Sequence, residues 1–360
     1  MAPFDRQYLG AEMNILITGG TGFVGSTFCR LLSDEGHSCI CFDLHEPSNA
    51  LVKNSKVKFI QGDVRDIAAL DQAMIGVDAV IHLAAAHHDF GIPEQTFHDV
   101  NVGGMTNVCD SMQRHGVKKL CFYSTVALYG KQGTPPTEET TPEPTTPYGA
   151  TKFAAEKVCL QWCAADHTNQ CLVMRPTVIF GPNSFANMYS LIRQIDSGKF
   201  LRVGKMTNIK SLAFVDNIVS TSIDLWITKN RPQQGIDFFN YVDIPDLCSR
   251  QIIENVYQEL GRKKPFLSLP LWLARLVVFP IDLLIKISGK NLPISTARIN
   301  KLAVADTQID ASKIHEIVDP PTISVTDGIQ QMVSWYQAEG KACTTPNRRP
   351  PSKFQAAENA

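Results

Sequence analysis

Tyr148 and Lys152 stand four apart in the stretch YGATK, a spacing that puts both side chains on one face of a helix. A phenol with its ordinary pKa of ~10 is a poor base at neutral pH, and drawing it down by about three units takes roughly 4 kcal/mol. A neighbouring ammonium and a positively charged ligand together supply stabilisation of that order. Such a pair arises easily on any solvated helix, so its meaning depends on the rest of the chain. Upstream, Thr18 to Gly25 read TGGTGFVG, setting Gly19, Gly22 and Gly25 at G-x-x-G-x-x-G spacing after the apolar run Asn14 to Thr18 and before the helix-periodic segment Thr27 to Glu35. In that context the first glycine permits the tight turn, the second lets backbone approach a pyrophosphate, and the third lets helix and strand pack closely with the helix N-terminus facing the anion. Asp43 closes the next apolar run, Ser38 to Phe42. A carboxylate there accepts the ribose hydroxyls of an adenosine and repels a 2′-phosphate, which points to NAD rather than NADP; an ordinary strand-end turn residue is the other reading.

These residues need a frame. The first two apolar runs and the segment between them make a βαβ unit, and further β-rich runs follow at Val57 to Gln61, Ala79 to Leu83, Lys119 to Ser124 and Cys171 to Val178. Helix-compatible segments separate most of them. Such alternation predicts an α/β fold, a Rossmann-type doubly wound parallel sheet with a smaller C-terminal α/β substrate lobe. Beyond Gly181 the elements shorten, and Leu212 to Lys229 reads as a return to the first domain. The expected organisation is a dinucleotide-binding domain over 13–180, rejoined by 212–235, then a discontinuous substrate lobe over 181–340. A mobile tail over 341–360 has too few apolar residues to offset the entropy of ordering.

The 360 residues, 44% hydrophobic and 19% charged, can bury a large core in one big domain or two joined ones. A net charge of -1 gives no field to hold a polyanion, so nucleic acid is not an expected partner and phosphate recognition must be local. Ten scattered cysteines form no set at zinc-ligand spacing, so no metal is expected, and reduced thiols of the cytoplasm account for them. No basic segment followed by a short apolar run opens the chain, so no secretion signal is read. The most apolar stretch, Pro265 to Ile287, is interrupted by Arg275, Pro280, Asp282 and Lys286 too often for a spanning helix. It is either core of the second lobe or a surface element lying in a lipid interface.

Together these stretches resemble the extended short-chain dehydrogenases/reductases, also called NAD-dependent epimerase/dehydratases, from about Met13 to Tyr336. The landmarks are TGGTGFVG, Asp43, GDV at Gly62 to Val64, HLAA at His82 to Ala85, STVALYG at Ser124 to Gly130, YGATK, and RPTVIFGP at Arg175 to Pro182. The resemblance implies a catalytic set of Thr125, Tyr148 and Lys152, with Thr125 bonding the reacting oxygen, Ser124 as the second candidate donor, and Lys152 also bonding the nicotinamide ribose. It implies cofactor contacts from the glycines with Phe23 and Val24, from Asp63 and Val64 beside the adenine, from Leu83, Ala84 and Ala85 near the nicotinamide ribose, and from Pro176. Asn101 resembles a position that supports the site, its other reading being a polar residue at a helix start.

Relatives that dehydrate nucleotide sugars carry Asp-Glu after the catalytic Thr, because β-elimination needs its own acid and base. Here Val126 and Ala127 follow, which argues against that reaction. At a finer level AAAHHDF with DVNVGGMTNV, NMYSLIRQI, GKFLRVGKMTNIKSLAFVDNIV and FNYVDIPDL resemble epimerases that convert N-acetylglucosamine to N-acetylgalactosamine on a polyprenyl diphosphate in surface-polysaccharide assembly. Many UDP-sugar epimerases carry Arg-Asp where this chain has Lys210-Ser211. The implied reaction is a transient oxidation to a 4-keto sugar with NAD recycled, so no net redox change occurs. Lys210 and Arg298 are the candidate diphosphate cations, Asn187 a further substrate contact, and His87 and His88 candidate lining of the sugar pocket. The expected partner is a lipid-linked or UDP-linked sugar diphosphate, with a peripheral contact at the inner face of the membrane and a homodimer as further options. A sugar or sterol/lipid dehydrogenase of the same family is the rival activity, which net NADH formation would reveal. A dinucleotide-binding protein without turnover is a second rival, opposed by the intact Thr125, Tyr148 and Lys152.

Overall fold

The computed structural model describes residues 12–47, 53–87, 92–264, 268–274, 276, 278–280, 296 and 305–343. The first half runs β1 (Asn14–Thr18), α1 (Phe23–Asp34), β2 (Ser38–Asp43), β3 (Val57–Gln61), α2 (Ile67–Ala73), β4 (Ala79–His82), α3 (Glu94–His98), α4 (Gly104–His115), β5 (Lys119–Tyr123), α5 (Pro147–Ala165) and β6 (Gln170–Pro176). The second half runs β7 (Val178–Phe180), α6 (Asn187–Asp196), β8 (Ile209–Lys210), β9 (Leu212–Phe214), α7 (Val215–Ile223), β10 (Gly235–Tyr241), β11 (Leu247–Cys248), α8 (Ser249–Glu259), α9 (Ser312–His315) and α10 (Val325–Trp335).

The central strands β1, β4 and β5 are apolar on both faces, as helices on both sides of a parallel sheet require. Ile15 and Ile17 of β1 enter one core layer with Phe28, Leu32 and Ile218, while Leu16 between them enters the other with Leu70, Val108 and Cys159. The strands form a seven-stranded sheet in the order β10-β6-β5-β4-β1-β2-β3, parallel throughout. The chain therefore winds outward from β1 through β2 to β3 and then crosses back to β4. The strand order reverses between β1 and β4, which is where a doubly wound sheet opens a crevice at its carboxyl edge.

Two details differ from the sequence expectation. The run Cys171 to Val178 is not one strand: β6 ends at Pro176, and β7 then pairs with β9 in a separate small sheet, since proline has no N–H to continue a ladder. The edge strand β10, Gly235–Tyr241, is an addition that the pattern of apolar runs does not predict. Helix α7 packs on α1, with Ile218 and Val219 sharing a core layer with Phe28 and Asp216 paired to Arg30 at 2.8 Å. A third cluster, around Phe180, Ile192, Phe214, Val256, Ile329 and Met332, joins α6, α8 and α10 in the second lobe. Lys341, where the tail is expected to begin, is ion-paired with Asp196 at 2.8 Å; residues 344–360 lie outside the described residues.

Candidate active site

The glycine turn is built by close backbone approach. Gly19 sits at φ +70°, and a Cβ there would lie 2.8 Å from the Ala84 nitrogen, so the turns after β1 and β4 meet where only glycine fits. Gly25 lies directly against Gly19 and Gly20, where any side chain would collide with their backbone. Gly22 is the N-cap of α1, and among the described residues no side chain caps the helix, which leaves N–H groups at its positive end for an anion. The cradle therefore fits a dinucleotide pyrophosphate. Asp43 accepts from the Thr21 N–H and the His45 N–H, each at 3.1 Å, fixing its carboxylate at the mouth of the turn. Phe23, Val24 and Leu83 are partly buried against the same core layer, and Pro176 is buried at the end of β6.

The Asp63 carboxylate is held by Arg65, whose Nη2 donates at 2.6 Å and whose Nε donates at 3.1 Å. Val64 is buried beneath, against Gly104. On the other side of the crevice the Thr18 hydroxyl and His82 Nδ1 share a hydrogen bond of 2.7 Å, and the Ala84 N–H donates to Thr18 at 3.4 Å. Burial first, and Lys152 second, push the His82 pKa down to about 3, so this imidazole is neutral. Within HLAA nothing about the spacing of His82 gives it this role; only the fold brings it to Thr18.

Helix α5 begins with Pro147 at its first turn and Thr146 as N-cap, its hydroxyl accepting from the Gly149 N–H at 3.1 Å. This puts Tyr148 in the first turn and Lys152 one turn on. Thr125, just past the C-terminal end of β5, caps a short 3₁₀ turn by accepting from the Ala127 N–H at 3.1 Å, and its hydroxyl lies near enough to the Tyr148 phenol to act on its ionisation. Tyr148 is half-buried, its ring packed against the second core layer. Lys152 is 2% exposed, its Nζ 4.2 Å above the Phe122 ring. The neighbouring Ser124 hydroxyl is buried with no hydrogen-bond partner among the described residues, an uncommon state that a polar ligand atom would relieve.

The sequence expectation divides the lowering of the phenol between the lysine and a positively charged ligand; the buried site shifts that division toward the ligand. Burial pushes Tyr148 up to about 12, and the nearby Thr125 hydroxyl only partly offsets this. Burial also pushes Lys152 down to about 7. The protein groups alone therefore hold the pair close to neutral, and the positive charge that lowers the phenol has to arrive with the cofactor.

Asn101 lies in a π-helical turn, Asp99–Gly103, a feature frequent at functional sites. Its Oδ1 accepts from the Ala86 N–H at 2.8 Å, and its Nδ2 donates to the Ala86 carbonyl at 3.1 Å and to the Thr151 hydroxyl at 2.9 Å. It ties the segment after β4 to helix α5, which carries Tyr148 and Lys152. A second buried network has no signal in the sequence: Arg175 donates to both carboxylate oxygens of Glu156 at 2.9 and 2.7 Å and to the Tyr129 hydroxyl at 2.8 Å. Tyr129 donates on to Asn240 at 2.8 Å, and the Asn240 N–H donates to Glu138 at 2.7 Å.

Of the remaining candidates, His87 is exposed beyond Ala85, with its Nδ1 3.3 Å from the Ala85 carbonyl. Asn187 is exposed at the start of α6. The Lys210 ammonium donates to the Ala305 carbonyl at 2.7 Å. His88 and Arg298 lie outside the described residues.

A parallel sheet with a glycine cradle at its switch point, and a Thr-Tyr-Lys set at the carboxyl edge of the next strand, defines a nicotinamide-dependent short-chain dehydrogenase/reductase site. The chain belongs to the NAD dependent epimerase/dehydratase family, which matches residues 15–236. It is 40% identical over 315 residues to the N-acetyl-alpha-D-glucosaminyl-diphospho-ditrans,octacis-undecaprenol 4-epimerase of Escherichia coli O157:H7, covering 86% of this chain and 92% of the relative. It is 35% identical over 270 residues to a UDP-glucose 4-epimerase of Lacticaseibacillus casei, covering 70% of this chain and 74% of that one. The fold is shared with the Bordetella bronchiseptica enzyme WbmG crystallised with NAD, at TM-score 0.72 and 22% identity over 92% of this chain and 96% of the other. It is equally shared with the UDP-glucuronic acid 4-epimerase of Bacillus cereus in complex with NAD, at TM-score 0.72 and 21% identity over 91% and 99%.

Proposed function

We propose that the protein is an NAD-dependent 4-epimerase that interconverts N-acetylglucosamine and N-acetylgalactosamine on a polyprenyl diphosphate, in the cytoplasm at the inner face of the membrane, for surface-polysaccharide assembly. The observation that carries the reading is the 40% identity to an undecaprenyl-diphosphosugar epimerase over 92% of its length, which takes in the substrate lobe as well as the cofactor domain. When bound, NAD supplies the acceptor and donor of the hydride at C4. Gly19, Gly22 and Gly25 hold its pyrophosphate, Asp43 its adenosine ribose, and Lys152 its nicotinamide ribose.

The chain's own groups manage the proton and the sugar. Tyr148 takes the proton of the 4-hydroxyl and later returns it, with Thr125 holding the same oxygen throughout. Ser124 gives its buried hydroxyl, which has no partner among the described residues, to the sugar. Lys210 is the proposed diphosphate partner, exchanging the Ala305 carbonyl for a phosphate oxygen. A sugar anchored through its diphosphate can turn its ring about that anchor, so that the 4-keto form presents its other face. Neither Val126 nor Ala127, in the turn capped by Thr125, can act as the acid or base of a dehydration.

Incubation of the purified enzyme with prenyl-diphospho-N-acetylglucosamine and, separately, with UDP-N-acetylglucosamine, followed by sugar analysis, tests the reading. The expected result is N-acetylgalactosamine on the prenyl carrier with no net absorbance at 340 nm. Stoichiometric NADH would make the enzyme a dehydrogenase, and conversion of the UDP-sugar alone would overturn the lipid-linked substrate.

A further inference from the structure

The described part of the apolar Pro265 to Ile287 run turns one helical face outward. Residues 271–274, 276 and 278–280 are helical, and Trp272, Leu276 and Phe279 stand 68%, 64% and 67% exposed. Their spacing of four and three puts them on one stripe, while Ala274 and Val278 face inward and are buried. Scattered exposed apolar residues are ordinary; three large ones aligned on one face mark an interaction surface.

The stripe adjoins a second apolar residue and a set of cations. Just before the helix, Leu269 bridges Val203, and its N–H donates to the Arg202 carbonyl at 2.9 Å. Leu201, on that paired segment, is 59% exposed. Arg202, Arg250 and Lys264 line one hollow with Tyr257, and Lys263 lines the next. Among the described residues Glu254 pairs with Lys264 at 3.8 Å and Asp196 is occupied by Arg262 and Lys341, while neither Arg202 nor Arg250 has a carboxylate within ion-pair distance. Apolar side chains flanked by unpaired cations match the two layers of an anionic membrane surface, acyl boundary and phosphate.

We propose that this face docks the enzyme on an anionic phospholipid bilayer, with Trp272, Leu276, Phe279 and Leu201 entering the acyl boundary and Arg202 and Arg250 reaching lipid phosphates. The inference rests on the lipid-linked substrate proposed above. The segment that carries Leu201 and Arg202 runs on to Lys210, so the surface that meets lipid and the proposed diphosphate cation belong to one stretch of chain.

Sedimentation of the NAD-loaded protein with vesicles of phosphatidylcholine, or of phosphatidylcholine mixed equally with phosphatidylglycerol, tests it. The protein should sediment with the anionic vesicles only, and less as salt rises. Trp272→Glu with Leu276→Glu, and separately Arg202→Gln with Arg250→Gln, should each weaken binding about tenfold or more. Both variants should keep their NAD content and their turnover of a water-soluble, short-chain prenyl-diphospho-N-acetylglucosamine. Absence of vesicle binding, equal binding to both vesicle types, or unchanged binding by the variants overturns the docking face. So does a change from dimer to monomer in the Trp272→Glu/Leu276→Glu variant by light scattering, which would make a second copy the occupant. Epimerisation of the short-chain substrate without vesicle binding leaves the activity standing and removes only the docking, whereas vesicle binding without epimerisation of any substrate does the reverse.

Discussion

Replacing Lys152 by Met should make the cofactor-free protein more stable while abolishing turnover. The lysine is 2% exposed with its ammonium against the Phe122 ring at 4.2 Å, and burial holds its pKa at about 7 against an ordinary 10.5. At about 1.4 kcal/mol per pH unit, that displacement is a penalty of roughly 5 kcal/mol on the charged form. The contact with Phe122 returns about 1 kcal/mol that the variant gives up, and relaxation around a buried amine reduces the remainder, so a gain of about 2–4 kcal/mol is expected near neutral pH. The pH dependence has a definite sign. Below pH 7 the amine is protonated in native and unfolded chains alike, and the whole penalty is present. Between about 7 and 10.5 the unfolded chain binds a proton that the native chain does not, so wild-type stability rises with pH. Above that window the penalty is gone. Urea denaturation of NAD-stripped wild type and Lys152→Met, from pH 6.5 to 9.5, should therefore show a stability gap in favour of the variant that narrows as pH rises. A gap that does not change with pH, or a variant less stable than wild type at pH 6.5, would refute the assignment of Lys152 as a strained, desolvated base.

Three other outcomes follow from the same geometry. Tyr148→Phe should lower turnover by about 10³-fold or more while bound NAD, measured on the denatured protein by chromatography, stays at wild-type occupancy. Asp43→Ala should weaken NAD binding about tenfold by calorimetry and leave NADP binding equal or improved, because a carboxylate held at the mouth of the glycine turn would accept ribose hydroxyls and repel a phosphate. Glu156→Ala should cost about 3–5 kcal/mol in urea denaturation by leaving the Arg175 guanidinium buried and unpaired, whereas Glu156→Leu combined with Arg175→Met should recover most of it; equal losses in the two would show that the guanidinium is not what carries the penalty.

The fold is legible in the sequence wherever a strand carries apolar residues on both faces, because a short, continuous apolar run between helix-compatible segments fits the interior of a parallel sheet and little else. β1, β2, β4 and β5 are of that kind. β10 escapes this pattern because it lies at the sheet edge, and the first four of its seven residues, Gly235 to Phe238, are only partly buried and include Asp237. The boundary at Pro176 is hidden for a different reason: apolar composition runs through it, and only the absent N–H marks the break.

The site divides along the same line between local and distant. The glycine turn, Asp43 and the Tyr148/Lys152 pair are spacings within one or two elements, and the chemistry demands those spacings. The groups that hold them in place do not lie near them in sequence: Thr18 meets His82 across 64 residues, Asn101 meets Thr151 across 50, and Asn240 meets Glu138 across 102. No periodicity reports such pairs, since each partner taken alone is an ordinary polar residue. Spacing is silent about solvent as well. Four residues along a helix bring Lys152 beside Tyr148 whether the pair is wet or dry, but the consequence reverses. Wet, the ammonium would draw the phenol down; buried over Phe122, it is itself driven toward neutrality while the phenol rises to about 12. If Tyr148 and Lys152 act as proposed, the pair needs a charge from outside the chain, so proton transfer would be coupled to occupancy of the cofactor site and the protein without NAD would be inert.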